Sequence, residues 1–305
     1  MLDYPLVAAV AAVIRTGSFE KAAAELGVTP SAVSQRVRLI EERLGTVLIV
    51  RGQPCRGTPA GERIARHAAE VTLLERELAA EIGLEASAPA RVRIAVNGDS
   101  LVTWFVEAMA GAASGAGEGV LFDVVVDDEA HSADWLRRGE VAAAVSTSAA
   151  AVQGCDVHPL GALRYRATAS PAFCARWFPD GVNAAALARA PSLLYSEKDR
   201  LQERFVEALL GHGVPLPAHR LPSSRAFLDA ARAGLGWGMN PERLVARDIA
   251  AGRLVDLGPL TPLDVPLAWQ TTRIAARALR GLTASVKRAA GAWLVPPDRN
   301  AALAT

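Results

Sequence analysis

Apolar residues recur every three or four positions along the first 44 residues, a spacing that predicts amphipathic helices. Residues 5–15 form an apolar segment that suits a helix. Two more helices are separated by a short turn at Gly27, and Thr29 followed by Pro30 is typical of a helix start. The inward-facing residues are Phe19, Ala22, Ala23 and Leu26 in one helix and Val33, Val37, Ile40 and Leu44 in the other. We therefore expect a compact three-helix core.

The polar side of the third predicted helix indicates DNA binding. Its hydroxyl, amide and guanidinium groups are able to read donors and acceptors on base edges in a major groove. The small Ala-rich run in the preceding helix allows the close helix contact of a helix-turn-helix. The candidate DNA-binding residues, two of them from the segment that follows, are Thr29, Ser31, Ser34, Gln35, Arg36, Arg38, Arg51 and Arg56. The alternative is a helical hairpin whose polar side simply faces water.

A hairpin is predicted directly after the third helix. Residues 47–51 and 56–58 have strand character and flank a turn-forming segment at 52–55. This arrangement is typical of the wing of a winged helix-turn-helix domain, which we assign to residues 1–58. Arg51 and Arg56 lie at its base and could contact phosphates or the minor groove, although solvated surface arginines would be equally ordinary.

A longer amphipathic helix is predicted over residues 60–82. A lone helix of this length would leave its apolar stripe exposed, and that stripe repeats with heptad-like spacing. The stripe consists of Ile64, Ala68, Val71, Leu74, Leu78 and Ile82. Pairing with the same helix of a second subunit would bury it and match a two-fold operator. The alternative is packing against the helix's own domain. We assign residues 59–90 to this dimerisation helix and a hinge at 85–90.

The pattern changes at residue 91 to short apolar strands that alternate with helices. The predicted strands cover residues 92–96, 121–126, 141–146, 164–169, 192–195 and 236–240. Such alternation predicts an α/β domain with a mostly parallel sheet over residues 91–305, in which ligands bind beyond the carboxyl ends of the strands.

Polar residues follow the ends of these strands and outline a candidate effector pocket. They are Asp99, Ser100, Thr103, Asp128, Glu129, Ser146, Tyr195 and Ser196. Ser100, Thr103 and the free backbone donors of a helix that begins near Leu101 could hold a carboxylate. The acids at 127–129 would suit a cationic group opposite that helix start, which favours an amino acid with a basic side chain. Taken singly, each residue could equally be a helix cap or a turn residue.

Charge and motif content exclude several classes of protein. The net charge of +1 argues against a general polyanion binder, so DNA contact must come from local clustering, and residues 36–66 hold seven Arg against three Glu. The Cys and His residues show no metal-binding spacing, and no nucleophile elbow or phosphate-binding glycine loop is present. We therefore expect no catalytic residues, no metal and no cofactor. Without a recognisable signal peptide or membrane span, we expect a cytoplasmic protein with no membrane partner.

The N-terminal residues resemble those of the LysR-type transcriptional regulators. The matching residues are Ser18, Phe19, Ala22, Ala23, Leu26, Thr29, Pro30, Ser31, Ala32, Val33, Ser34, Gln35, Leu39, Ile40, Glu41, Leu44 and Gly45. Residues 50–51, 53–56, 58–61, 96–97, 99–101, 103–104 and 136–141 are similar, more narrowly, to the ArgP/LysG branch of that family. Members of that branch sense lysine or arginine and control basic amino-acid export.

The resemblance implies further features of the fold and assembly. It implies a periplasmic-binding-protein-like effector domain with two lobes, one over 91–161 and 267–305 and the other over 162–266. It also implies dimers of dimers. Family effector contacts would fall at Ser100 and Thr103 and near Asp128, Ser146 and Ser196.

We interpret the chain as a LysR-type DNA-binding regulator that is not an enzyme. Its expected partners are double-stranded promoter DNA, a basic amino acid as effector, RNA polymerase, and other copies of itself in a homodimer or homotetramer. Two alternatives remain open: an origin-binding or architectural DNA-binding protein, and a LysR-type regulator with a different effector. An enzyme with an appended DNA module is disfavoured because no catalytic constellation is visible.

Overall fold

The computed structural model describes residues 2–84, 90–114, 120–127, 132–147 and 150–296. Within these ranges the chain divides into two compact units. The first contains the described residues up to Val92 together with Val120 and Leu121, and the second contains the rest. Most of the predicted hinge, residues 85–89, lies outside the described residues.

Three helices form the centre of the first unit, as the apolar spacing predicts. They are α1 (Tyr4–Thr16), α2 (Phe19–Leu26) and α3 (Pro30–Leu44). The hydroxyl of Thr29 accepts a hydrogen bond from the backbone N–H of Ala32 and so caps α3. Gly27 ends α2 in the left-handed conformation (φ 64°), which a glycine adopts without strain. The buried residues on the facing sides of α2 and α3 are Ala22, Ala23, Val33, Val37 and Ile40.

One residue of the predicted inward face lies outside the core. Leu44 is 42% exposed, whereas Val37 and Ile40 on the same helix are buried. Leu44 is the last residue of α3, and Gly45 (φ 64°) turns the chain directly after it. The prediction for Leu44 is wrong because this residue is at the very end of α3, where its side chain stays exposed to solvent.

A short antiparallel hairpin follows α3, formed by β1 (Ile49–Val50) and β2 (Arg56–Gly57). Both strands are shorter than predicted. One carboxylate joins α3 to this hairpin, because Glu41 Oε1 accepts hydrogen bonds from the backbone N–H groups of Leu48 (2.8 Å) and Ile49 (3.2 Å). Leu48 and Ile49 are buried in the same core as the three helices, so the hairpin is anchored at its base.

Along the long helix α4 (Pro59–Glu81), the predicted dimerisation stripe has two parts that differ in burial. Gly61 is required in its first turn, because a Cβ there would lie 1.9 Å from the carbonyl oxygen of Leu48. Ile64 and Ala68 pack against the core of the first unit itself, and Val71 is half-buried. The remaining stripe residues are 47%, 57% and 61% exposed in the single chain; they are Leu74, Leu78 and Ile82.

A mixed sheet organises the second unit. The strands of this unit are β3 (Ala90–Asn97), β4 (Val120–Asp127), β5 (Ala143–Ser146), β6 (Cys155–Ala169), β7 (Ser192–Leu194), β8 (Ala218–Arg220), β9 (Gly238–Pro241), β10 (Val255–Asp256) and β11 (Leu263–Thr272). β7 and β8 form a separate parallel pair. The main sheet has the order β10-β6-β11-β5-β3-β4, and β9 also pairs with β6. The register of β11 against β6 shifts between Leu267 and Ala268.

The prediction of a mostly parallel sheet is wrong. β3 and β5 are parallel, but β6 pairs antiparallel with β9, β10 and β11, and β11 pairs antiparallel with β5. The sequence patterns located only the second half of β6 and missed β8, β10 and β11. In β11 the reason is physical, because Pro266 is typical of an interruption and the buried Gln270 and Thr271 break the apolar run.

The helices of the second unit pack around these strands. They are α5 (Gly98–Ser100), a π-helical segment (Leu101–Phe105), α6 (Val106–Ala113), α7 (Ser132–Arg137), α8 (Pro171–Trp177), α9 (Ala184–Leu187), α10 (Leu201–Leu210), α11 (Ser224–Arg232), α12 (Glu242–Ala250), α13 (Arg273–Ala276) and α14 (Arg280–Trp293). The first three follow one another without a break, so the helical chain begins at Gly98 rather than near Leu101. Trp104 and Phe105 are fully buried and hold this helix start at the carboxyl end of β3.

Candidate functional site

The polar side of α3 is open to solvent. Ser31, Gln35 and Arg38 are exposed, while Ser34 and Arg36 are half-buried. The hydroxyl of Thr29 lies 3.0 Å from that of Ser31 at the start of the helix. The amphipathic division expected from the sequence is therefore present, with hydroxyl, amide and guanidinium groups on the accessible face.

Two of the candidate arginines already have partners. Arg38 Nε donates to Glu42 Oε1 at 2.8 Å, and this side-chain hydrogen bond raises the pKa of Arg38 above its usual value. The guanidinium of Arg51 lies over the ring of Phe19, 5.4 Å from its centroid, and Arg56 is exposed in β2. A phosphate or base contact by Arg38 therefore competes with Glu42, whereas Arg51 is steadied by an aromatic face.

A cavity lies within the second unit, next to the helix start at Gly98. Its volume is about 30 Å³, which is room for about two water molecules. The lining residues come from two separate stretches of the chain, 97–127 and 195–240: Asn97, Gly98, Asp99, Asp127, Tyr195, Asp199, Leu201, Ser224, Phe227, Met239 and Asn240.

Three carboxylates, and no basic side chain, are among these lining residues. Asp99 Oδ2 accepts a hydrogen bond from the hydroxyl of Tyr165 at 2.8 Å. Asp127 Oδ2 accepts one from the indole N–H of Trp135, also at 2.8 Å. These bonds orient the two carboxylates at the cavity.

The third carboxylate, Asp199, has a clear structural role in addition to its charge. It is 9% exposed and accepts hydrogen bonds from the backbone N–H groups of Tyr195 (2.9 Å) and Leu201 (3.0 Å). These bonds fold the loop after β7 and set the start of α10. Together the three acids give the cavity an acidic lining, which complements a cationic ligand.

The helix start at Gly98 supplies the opposite polarity. The first backbone N–H groups of a helix have no acceptor within it, and Asn97, at the capping position, makes no side-chain cap hydrogen bond. A Cβ at position 98 would lie 3.0 Å from both the hydroxyl oxygen of Tyr195 and that of Ser224. Glycine therefore allows the two hydroxyls, or a small anion, to come close to these donors.

Of the predicted effector residues, Asp99 and Tyr195 line the cavity. Asp128 and Glu129 lie outside the described residues. Their neighbour Asp127, the last residue of β4, does line it. The acidic character expected beyond β4 is thus present at Asp127 itself.

The other four predicted residues are not among those that line the cavity. Thr103 donates to the carbonyl oxygen of Asp99 in its own helix, and Ser100 is fully buried in the first turn. Ser146 is also fully buried, and its hydroxyl accepts a hydrogen bond from Gln270 Nε2 at 3.2 Å. The hydroxyl of Ser196 accepts one from the backbone N–H of Lys198 at 3.1 Å, within a turn.

Several lining residues were missed because no sequence spacing marks them. Asp199 lies in a loop and Asn240 lies inside a buried strand, and only the tertiary fold brings them to Asp99. Ser224 carries a weak signal, since paired serines begin a helix there. The tertiary fold brings these residues to the cavity, and no local sequence pattern predicts that they line it.

Other kinds of site find no support in the part of the chain that the structure describes. There, no group of three or more His, Cys, Asp or Glu side chains has the geometry to hold a metal ion. Burial raises the pKa of the Cys155 and Cys174 thiols, which disfavours the reactive thiolate. None of the helices in the described ranges is both long and apolar enough to cross a bilayer.

Comparison with known proteins relates both units to one family. Residues 6–62 match the bacterial regulatory helix-turn-helix protein family of the lysR type, and residues 86–291 match the LysR substrate binding domain. The HTH-type transcriptional regulator LysG of Mycobacterium tuberculosis is 46% identical over 290 residues, which cover 95% of this chain and 94% of that protein.

Two solved structures extend the comparison to the fold. The crystal structure of ArgP from Mycobacterium tuberculosis has a TM-score of 0.78 at 44% identity and covers 98% of this chain and 100% of its own. The full-length LysG from Corynebacterium glutamicum, solved with bound effector Arg, has a TM-score of 0.66 at 36% identity and covers 97% of this chain and 100% of its own. On these matches, the chain belongs to the LysR family.

Proposed function

We propose that this chain is a DNA-binding transcriptional regulator whose second unit binds a basic amino acid, lysine or arginine, and that it controls an amino-acid exporter gene. The names of its relatives support regulation, and the arginine-bound LysG structure supports the effector class. The observation that carries the effector proposal is the cavity lined by Asp99, Asp127 and Asp199 without a basic side chain.

The charge pattern of the cavity matches that of a basic amino acid. Such a ligand carries two cationic groups and one carboxylate. Three acids face the cations, and the helix start at Gly98 offers backbone donors to the carboxylate. A neutral amino acid would lack the second cationic group that complements these carboxylates.

Within this proposal, Asp127 is the side-chain contact that we assign most directly to the cationic end of the ligand. It is half-buried at the end of β4, and its bond to Trp135 fixes its orientation. Asp99 and Tyr195 complete the set assigned to the ligand from the lining residues. Asp128 and Glu129 stay in the proposal on sequence grounds alone.

For DNA, we propose that α3 enters the major groove of double-stranded promoter DNA. The bases are read from its exposed face, and phosphates are contacted by flanking arginines; the assigned residues are Thr29, Ser31, Ser34, Gln35, Arg36, Arg38, Arg51 and Arg56. Two copies of the chain would meet through the exposed apolar end of α4, as a homodimer or within a homotetramer, and a contact with RNA polymerase would follow at the promoter.

The domain limits belong to the same proposal. They are 1–58 for DNA binding, 59–90 for the dimerisation helix and hinge, and 91–305 for the effector domain. Effector binding would switch transcription only if the ligand binds one arrangement of the dimer more tightly than the other.

Isothermal titration with arginine, lysine and citrulline tests the effector proposal. Citrulline keeps the shape of arginine and its α-ammonium group, but its side chain is uncharged. Asp127→Asn keeps an acceptor for Trp135, so we expect arginine affinity to fall roughly 10- to 100-fold, the range for hydrogen bonds to charged groups, and citrulline binding to stay unchanged. Asp123→Asn is the matched control, because this exposed residue of the same strand pairs with Arg93 and is not among the lining residues. Failure of the unaltered protein to bind arginine or lysine would refute the proposal.

A further inference from the structure

Two buried oxygen atoms at the cavity have no hydrogen-bond partner among the described residues. They are Asn97 Oδ1 and Ser224 Oγ, whose residues are 2% and 7% exposed. Both residues line the cavity. Buried polar groups without partners are rare in folded proteins because their lost hydration is not replaced. These atoms are therefore candidates for contact with a ligand.

Neither side chain is needed to begin its own helix. Asn97 stands at the capping position of α5, where Asn is a favoured capping residue, yet its side chain makes no cap hydrogen bond. α11 is capped by Ser223, whose hydroxyl accepts the backbone N–H of Ala226 at 3.3 Å. The hydroxyl of Ser224, one residue further on, therefore takes no part in capping this helix. Local helix formation thus does not account for either atom.

Asn97 and Ser224 both lie next to Gly98. Gly98 directly follows Asn97, and a Cβ on Gly98 would lie 3.0 Å from Ser224 Oγ. Asp99, with a negative charge, is the next residue and lines the same cavity. Two acceptors and one anionic group are therefore gathered beside the helix start, where the ligand's carboxylate is expected.

We propose that Asn97 and Ser224 recognise the α-ammonium group of the amino-acid effector and so restrict the site to free α-amino acids. An ammonium group has three N–H donors, and two acceptors plus the charge of Asp99 match it. The α-ammonium and the carboxylate share one carbon atom, which fits their adjacent subsites. This inference rests on the proposed function. It adds a second criterion for ligand selection besides side-chain charge, because a basic ligand without an α-amino group, or with an acylated one, would be rejected.

The test compares arginine with 5-guanidinopentanoic acid, which lacks only the α-amino group. Titration of the full-length protein is expected to give roughly 10- to 100-fold weaker binding of the analogue per lost hydrogen bond. In Ser224→Ala and Asn97→Ala the affinity for arginine falls while that for the analogue stays within about twofold, so the discrimination shrinks. Equal binding of both ligands by the unaltered protein, or an equal loss of both in the variants, would overturn the inference while leaving arginine binding intact.

Thermal unfolding without ligand separates recognition from a structural role. Ser224→Ala removes an unpaired buried atom, so the melting temperature of the unliganded protein should stay the same or rise. Ser170→Ala is the contrasting control, because this buried hydroxyl accepts the backbone N–H of Phe173 at 3.3 Å. That control should lower the melting temperature and preserve the discrimination between the ligands. A lower melting temperature for Ser224→Ala would assign the hydroxyl to the fold and overturn its role in recognition.

Discussion

The anchoring of the hairpin by Glu41 gives the sharpest energetic prediction for the first unit. Glu41→Ala removes the acceptor of two backbone N–H groups, those of Leu48 at 2.8 Å and Ile49 at 3.2 Å. A hydrogen bond to a charged group contributes about 1.5–3 kcal/mol, and an unpaired buried donor costs a similar amount. Glu41 is half-buried, so water replaces part of what is lost. We expect local opening of the hairpin to become easier by about 2 kcal/mol.

Native-state hydrogen exchange of the full-length protein measures this local opening directly. A change of about 2 kcal/mol corresponds to roughly 30-fold faster exchange at the amides of Leu48 and Ile49. Glu42→Ala is the matched control: it makes the same substitution one residue further along α3, and Glu42 contacts Arg38 instead of the hairpin. Unchanged exchange at both amides in Glu41→Ala, or an equal acceleration in the control, would refute the reasoning.

Two further predictions concern charge. Glu42→Gln removes the carboxylate that pairs with Arg38, which leaves this arginine available to a phosphate. Fluorescence anisotropy should then show tighter binding to promoter DNA, and the slope of log K against log salt concentration should become steeper by up to about one unit. Weaker binding would contradict this. Burial opposes ionisation of Asp248, but hydrogen bonds from Arg232 and Arg253 outweigh it and lower its pKa. The ionised carboxylate therefore stabilises the fold above its unfolded-state pKa of about 4, and this stability is lost as pH falls through the lower folded-state value. Asp248→Asn should lower the melting temperature at pH 7 and flatten its pH dependence below about pH 4, as calorimetry would detect; an unchanged profile would contradict the assignment.

The first unit was largely predictable because its local signals agree with its packing. The three- and four-residue spacing, the Thr29 cap and Gly27 all act within a few residues of one another. Leu44 departs from the prediction because its place in the core depends on where the helix ends. The split of the α4 stripe at Ala68 could not be read from periodicity, since the same spacing serves packing within a chain and between chains.

The second unit was predicted in class but not in topology. Strands such as β3 and β5 are continuous apolar runs, and their pattern identifies them. β11 is central and buried although it contains a proline, so its identity depends on pairing with β6, which lies about 100 residues away in the chain. Strand direction is likewise a property of connections between distant segments.

The sequence predicts only those cavity residues that follow the end of a strand or begin a helix. Asp99 and Tyr195 follow strands, and the acidic group beyond β4 was expected within one residue of Asp127. Asp199 and Asn240 have no such marker. Ser146 stays a prediction: it ends a strand as expected, and its hydroxyl accepts a hydrogen bond from the amide of Gln270, a pairing that a strand end alone does not reveal.

The long antiparallel pair of β6 and β11 holds the main sheet in one alignment. Sliding one strand past the other by a single residue would turn its side chains to the wrong faces of the sheet, so the pair resists translation. It bends more readily, and the shift of register between Leu267 and Ala268, opposite Gly161 (φ 115°), is the natural place for flexure. A change in the angle between the two ends of this pair would therefore be taken up at the register shift, while the pairing on either side of it is kept.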